Sequence, residues 1–311
     1  MSVENMAGNL SGQDFNPFQD VDFSQLERSL RRPRTLFSVL MSGLVTVMTL
    51  LALIPLFSVV WMLFWRGGRE LSAASFTQLP PGPLEMGGGF GNAIIGTMIM
   101  VAFGSLISIP LGILTAVFLA QAPASSRLAQ TVRFAAKVLT GFPSILAGVF
   151  AYGAVVLLTG GYSAIAGGVA VSILMLPTIL LTTEDAIRMV PAKIKEAAIG
   201  MGATPTQTVW MVLLPTALPG ILTGIMLALA RGAGETAPLL FTALFSNYWA
   251  MQGGHLDLMQ PTASLAVLIY NFAGAPFPNQ VALAWAAALV LVLLVLILNL
   301  IGQSVSRRQV Q

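Results

Sequence analysis

The sequence contains no cysteine, one histidine and three lysines, and only 9% of its residues are charged. Without cysteine there is neither a disulfide nor a thiolate metal site, and nothing marks the redox compartment. The lone His255 falls in a glycine-rich stretch, where a solvated side chain is the expectation, and no Ser-His arrangement or paired histidine offers catalysis. None of Lys137, Lys193 and Lys195 follows a glycine, so the chain cannot build the G-x4-G-K-[ST] phosphate loop. ATP hydrolysis must belong to another polypeptide, and this chain is expected to be no enzyme and to hold no cofactor or metal.

What remains is apolar. Such residues make up 56% of the chain and the mean hydropathy is +0.84, far from a soluble protein with roughly a quarter of its residues charged. An all-α, polytopic integral membrane protein with six transmembrane helices is expected. The runs lie at about 36–65, 92–121, 134–158, 163–182, 212–245 and 280–302, each close to or longer than the roughly 20 residues that cross hydrocarbon. Residues 1–35 hold no such run and change from acidic (Asp14, Asp20, Asp22) to basic (Arg28, Arg31, Arg32, Arg34), which reads as a mobile tail. A cleavable signal is not expected, because the first apolar run begins near Leu36 and is far longer than a signal core.

Basic residues assign the faces. In the six-span reading Arg28, Arg31, Arg32, Arg34, Arg127, Arg133, Lys137, Arg188, Lys193, Lys195, Arg307 and Arg308 share one side, against Arg66 and Arg69 on the other. The crowded side is then cytoplasmic, with both termini and the short tail 306–311. On the outer side, 66–91 reads as irregular loop, with Pro80, Pro81, Pro83 and a triple glycine, and Asn279 is a candidate cap for the last span. The apolar piece 263–272 is too short to span and suits an interfacial or re-entrant helix. Pro110, Pro143, Pro177 and Pro238 mark bends in or near the spans, and Gly96, Gly104, Gly112, Gly141 and Gly148 permit close helix approach.

Within the apolar body at 36–305, the stretch 196–236 carries most of the chemistry. A helix is expected from Pro191, at a first helical position, to Gly200, closed by Gly202 as the residue that tolerates positive φ. Thr204 then caps a second helix, with Pro205 at its start and Gln207 completing a capping box. The product is a protruding knuckle at 191–209 on the cytoplasmic face.

The knuckle resembles a known signature. Glu196, Ala197, Ala198, three residues, Gly202, nine residues, then Val212, Leu213, Leu214 and Pro215 are similar to EAA-x3-G-x9-I-x-L-P of bacterial ABC importer permeases. Val212 in place of isoleucine is the one departure, and it stays apolar and β-branched. That resemblance implies a coupling helix seated in a groove of the ATPase subunit, formed by Glu196, Ala197, Ala198 and Gly202. The alternative is an ordinary helix-turn-helix loop.

Further on, Arg231 falls deep in the fifth run, where an arginine costs on the order of 3 kcal/mol by insertion scales. Glu235, four residues on, shares its helix face and can orient the guanidinium. A planar fork of N–H donors suits a tetrahedral oxyanion, Gly232 and Gly234 leave room, and Thr236 adds a hydroxyl. Two readings stand: a substrate pathway of Arg231, Glu235 and Thr236, or a structural ion pair.

The run 230–238, ARGAGETAP, resembles the A-R-x-x-G-E-T-A-P run of phosphate permease subunits, and Phe142-Pro143-Ser144-Ile145 and the GGFGNAIIGT run at 88–97 are similar to that family as well. The likeness covers roughly 36–305. It implies the MetI-like permease fold, phosphate as cargo, and the bacterial inner membrane. It also implies a second homologous permease (PstC-like), two ATPase subunits (PstB-like) and a periplasmic phosphate-binding protein (PstS-like). Membrane lipid is the medium and nucleic acid is no partner. Other tetrahedral oxyanions, sulfate or molybdate, and a non-transporting scaffold or sensor subunit are the alternatives.

Overall fold

Helices dominate because the chain offers the bilayer no other way to satisfy its backbone N–H and C=O groups. The computed structural model describes residues 33–308 apart from Ala124, Gly253 and Gly254. The expected tail therefore lies outside the described residues through residue 32, as do residues 309–311.

Helix α1 spans Pro33–Met62 and buries no side chain. By its contacts the chain divides between Val59 and Val60. The first unit, as far as described, is the body of α1, an apolar rod with Leu36, Phe37, Val45 and Phe57 exposed.

The second unit starts with the end of α1, which continues through a π-helical turn at Leu63–Gly67 into Gly68–Glu70. After the short α2 (Ala73–Thr77) come α3 (Gly91–Gln121), α4 (Arg127–Thr140), α5 (Ser144–Ala151) and α6 (Ala164–Arg188). Then follow α7 (Ala192–Gly200), α8 (Leu214–Gly234), α9 (Ala237–Leu240), α10 (Leu265–Ala273) and α11 (Pro278–Arg308). A two-stranded hairpin, β1 (Met251–Gln252) with β2 (His255–Leu256), pairs Met251 with Leu256, and His255 is exposed there.

Among the described residues five continuous helical stretches are long and apolar enough to cross a membrane: Pro33–Glu70, Gly91–Gln121, Ala164–Arg188, Pro205–Gly234 and Pro278–Ser304. The sixth candidate is a broken pair. Arg127–Thr140 and Ser144–Thr159 meet at 107°, so the straight span expected over 134–158 is a bent pair. Pro143 explains the break, since it holds an extended backbone (φ −56°, ψ 127°) just before α5 and has no N–H to continue the ladder.

The core is built around α6, which buries Val171, Met175, Ile179 and Ile187 against Ala217, Ile221, Ile225 and Ala228 of α8. Its closest partner is α3. Gly104 of α3 faces the Gly168 carbonyl and Val171, and Gly112 faces Ile179, with no room for a Cβ at Gly112. A second core joins Phe90, Leu265, Leu268 and Phe272 to Leu283 and Ala287 of α11. The short apolar piece at 263–272 is thus a helix, α10, capped by the Ser264 hydroxyl and buried beside α3, where Thr97 Oγ1 accepts from the Leu265 N–H at 2.9 Å. Asn279 is no cap. It lies inside α11, and its amide donates to the Glu85 and Gly87 carbonyls at 2.8 and 3.0 Å, tying the preceding outer loop to α11.

Candidate functional site

The knuckle forms as its capping chemistry requires, with one shift. Pro191 is extended (ψ 135°) and precedes the first helical residue, Ala192, so it serves as the N-cap. At the other end Gly202 takes φ +87°. Its N–H donates to the Ile199 carbonyl at 2.9 Å and the Ala203 N–H to the Ala198 carbonyl at 3.0 Å, the two bonds of a Schellman stop. The Thr204 hydroxyl accepts from the Gln207 N–H at 3.3 Å while Gln207 Oε1 accepts from the Thr204 N–H at 2.9 Å, and Pro205 opens the new helix.

Glu196 and Ala197 are exposed, Ala198 is buried, and among the described residues Glu196 has no ion-pair partner. Around them Met189, Ile199, Met201, Trp210 and Met211 are all more than half exposed. Flexible methionines and a tryptophan standing in water next to an unpaired carboxylate make a surface suited to a partner protein. The spacing of the signature had not revealed this apolar rim. Lys195 Nζ donates to Gln121 Oε1 at 3.3 Å, so α7 is tied to the end of α3.

Between α6 and α4 sits a charge cluster that the sequence reading missed. Glu184, with its side chain 4% exposed, accepts at Oε1 from Arg133 Nε at 2.8 Å and from Arg188 Nε at 2.9 Å. Arg133 Nη2 adds a contact to the same oxygen at 2.7 Å and donates to the Leu119 carbonyl of α3 at 3.2 Å. Two arginines therefore converge on one carboxylate, and Arg133 carries the link on to α3, just before the chain turns into the knuckle. The spacing of Glu184 and Arg188 was a signal for half of it.

Arg231 stands in the last turn of α8, because the helix ends at Gly234 and does not continue to 245. Glu235 is extended (φ −73°, ψ 129°), and Thr236 is the N-cap of the short helix α9, which contains Pro238. The terminus is not at the rim of the bundle. Gly232 packs against Val171 and Met175 in the central turns of α6, and Gly148 of α5 packs against Pro238. A span that breaks at that depth leaves backbone groups that only a cavity or neighbouring protein can satisfy.

Arg231 and Glu235 are paired as their spacing predicts, Nε to Oε1 at 3.4 Å. That is long for a charge-assisted bond, which is usually 2.7–2.9 Å. It is the one hydrogen bond of Arg231 among the described residues, so its two terminal NH2 groups keep their donors free. The arginine side chain is 37% exposed and the glutamate 14%. A Cβ built on Gly234 would touch nothing within 4 Å, which puts open space beside the pair. Among the described residues the Thr236 hydroxyl makes no hydrogen bond. The arrangement offers guanidinium donors whose charge is balanced by one carboxylate, facing a gap where a helix has broken.

Residues 108–311 match the family of the binding-protein-dependent transport system inner membrane component. The phosphate transport system permease protein PstA of Yersinia pestis is 39% identical over 81% of this chain and 85% of its own length. PstA of Haemophilus influenzae is 39% identical over 84% and 90%. Among solved structures, the MetNI methionine ABC transporter in inward-facing conformations has a chain of 24% identity and TM-score 0.55, covering 70% of this chain and 93% of that one. The bacterial alginate ABC transporter, solved with an alginate-bound periplasmic protein, has one of 15% identity and TM-score 0.61, covering 91% and 98%. These two likenesses extend to the fold, which is that of ABC importer permeases. Through the family model and the curated relatives together, the chain belongs to the inner-membrane components of binding-protein-dependent transport systems and, within them, to the PstA permeases of phosphate transport.

Proposed function

We infer that this chain is one permease half of an ATP-driven importer that carries inorganic phosphate across the inner membrane, with Arg231, Glu235 and Thr236 on its path. The observation that carries the reading is the broken end of α8. A phosphate that leaves water for a low-dielectric passage loses hydration that a single contact does not return, so a permanent cation with several free donors must stand there. Arg231 has those donors. Glu235 cancels one charge, which keeps the anion from being held too tightly to leave, and Thr236 adds one more donor.

The power stroke comes from outside the chain, which has no phosphate loop of its own. Two PstB-like ATPases close on nucleotide, one of them holding the knuckle through Glu196, Ala197, Ala198 and Gly202. Since α7 follows α6 across the Met189–Pro191 turn, is bonded to α3 through Lys195 and leads on to α8, its displacement reaches all three spans. A PstC-like permease completes the passage, and a PstS-like binding protein delivers phosphate on the far side. Both termini and the knuckle are cytoplasmic, as the distribution of basic residues argues.

The test is uptake by the complex reconstituted in vesicles with ATP inside. Phosphate uptake that depends on ATP and on the binding protein, and that a tenfold excess of sulfate leaves unchanged, is expected. Equal uptake of sulfate, or none of either anion by an assembled complex that hydrolyses ATP, would overturn it.

A further inference from the structure

A second basic site lies at the opposite end of α3 from the knuckle, where the end of the first span meets the start of α11. Gly67 lies against the Trp285 carbonyl and Leu289 of α11, which seats the π-helical turn there. Arg66 Cζ lies 5.5 Å from the centroid of the Trp285 ring, and Arg69 Cζ lies 4.1 Å from that of Trp65. Arg66, Arg69, Glu70, Phe277, Val281 and Trp285 line a cavity of about 460 Å³ between them.

Neither arginine has a carboxylate within ion-pair distance among the described residues, although Glu70 shares the cavity. The three charges sum to one positive. Trp61, Trp65 and Trp285 gather at this end of the spans, as tryptophans do at a membrane-water boundary. Below the cavity the same face of α11 continues through Val292 and Leu296, about half exposed. They lie about 10 and 16 Å further along the helix than Trp285.

We propose that this cavity binds a phospholipid of the outer leaflet, with its phosphodiester between Arg66 and Arg69 and an acyl chain along Val292 and Leu296. The charges match, since a phosphodiester brings the single negative charge that the cavity lacks. A phosphatidylglycerol head fits best, because its glycerol hydroxyls can donate to the Glu70 carboxylate. The stacked tryptophan faces hold both guanidinium groups in place while leaving their N–H edges open. A bound lipid there fixes the end of the first span to α11 and sets the depth of both in the membrane.

The site is tested on the assembled transporter in mild detergent, titrated with phosphatidylglycerol and followed by native mass spectrometry. One phosphatidylglycerol per copy of this chain should resist removal. The Arg66→Ala/Arg69→Ala double variant should lose it with at least a tenfold weaker apparent affinity, and Arg66→Lys/Arg69→Lys should fall between. Arg127→Ala, at an exposed arginine on the other side, should bind as the parent does, and the elution volume of the complex shows that each variant is assembled. Unchanged binding in the alanine double variant overturns the proposal. So does displacement of the lipid by millimolar inorganic phosphate, which would make this a free-anion site. Loss of binding-protein association in the double variant with lipid binding unchanged would likewise overturn it and assign the surface to that partner.

Discussion

Arg231 donates through Nε to Glu235 across 3.4 Å, with the arginine in the last helical turn of α8 and the glutamate already in extended chain. The break between them ties the pair to backbone geometry. Whatever moves the end of α8 moves the guanidinium relative to its counter-ion.

Substitutions at the knuckle should separate docking from insertion. Glu196→Lys reverses the charge on the proposed docking surface, and Gly202→Asp puts a side chain on a residue at φ +87°, which costs about 1 kcal/mol or more and bends the surface. Both proteins should insert normally, co-purify with several-fold less ATPase and lose most uptake. Normal association and uptake in both would reduce the knuckle to a loop.

Glu184→Gln should weaken the knuckle end of the bundle. It leaves Arg133 and Arg188 facing each other without a carboxylate, worth about 2 kcal/mol once the half-exposed Arg188 is discounted for screening. The variant should melt several degrees lower in detergent. Because Glu184 joins α4 and α3 to the helix that leads into the knuckle, uptake should fall more than ATPase association does. An unchanged melting temperature and uptake would show the cluster to be idle.

The cysteine-free chain allows a direct test of its orientation. Cysteine placed at Ala197 should be protected in intact cells from a membrane-impermeant thiol reagent, and cysteine at the exposed Tyr248 should react. The reverse pattern would invert the topology.

Local chemistry was the legible part. Thr204, Gln207 and Gly202 lie within a few residues of the groups they satisfy, so their caps could be read from order alone. The apolar runs were readable too, but a run reports hydropathy and not backbone continuity. Residues 134–158 average to one span although Pro143 splits them, and 212–245 stays apolar past Gly234 because Ala237–Leu240 is apolar as well. Pairings across the fold left no trace in order. Arg133 meets Glu184 only because α4 and α6 pack together, and the Asn279 amide is taken by a loop nearly two hundred residues earlier.

The central claim is that Arg231 serves the anion and not only Glu235. Phosphate uptake measured in Arg231→Ala, Glu235→Ala and the double variant, at matched membrane levels and with ATPase association as the control for assembly, tests it most directly. If the guanidinium lies on the path, Arg231→Ala abolishes uptake and the double variant stays inactive while still assembled. If the pair is a structural staple, removing both charges removes the penalty of leaving one unpaired, and recovery of phosphate uptake in the double variant would contradict the account.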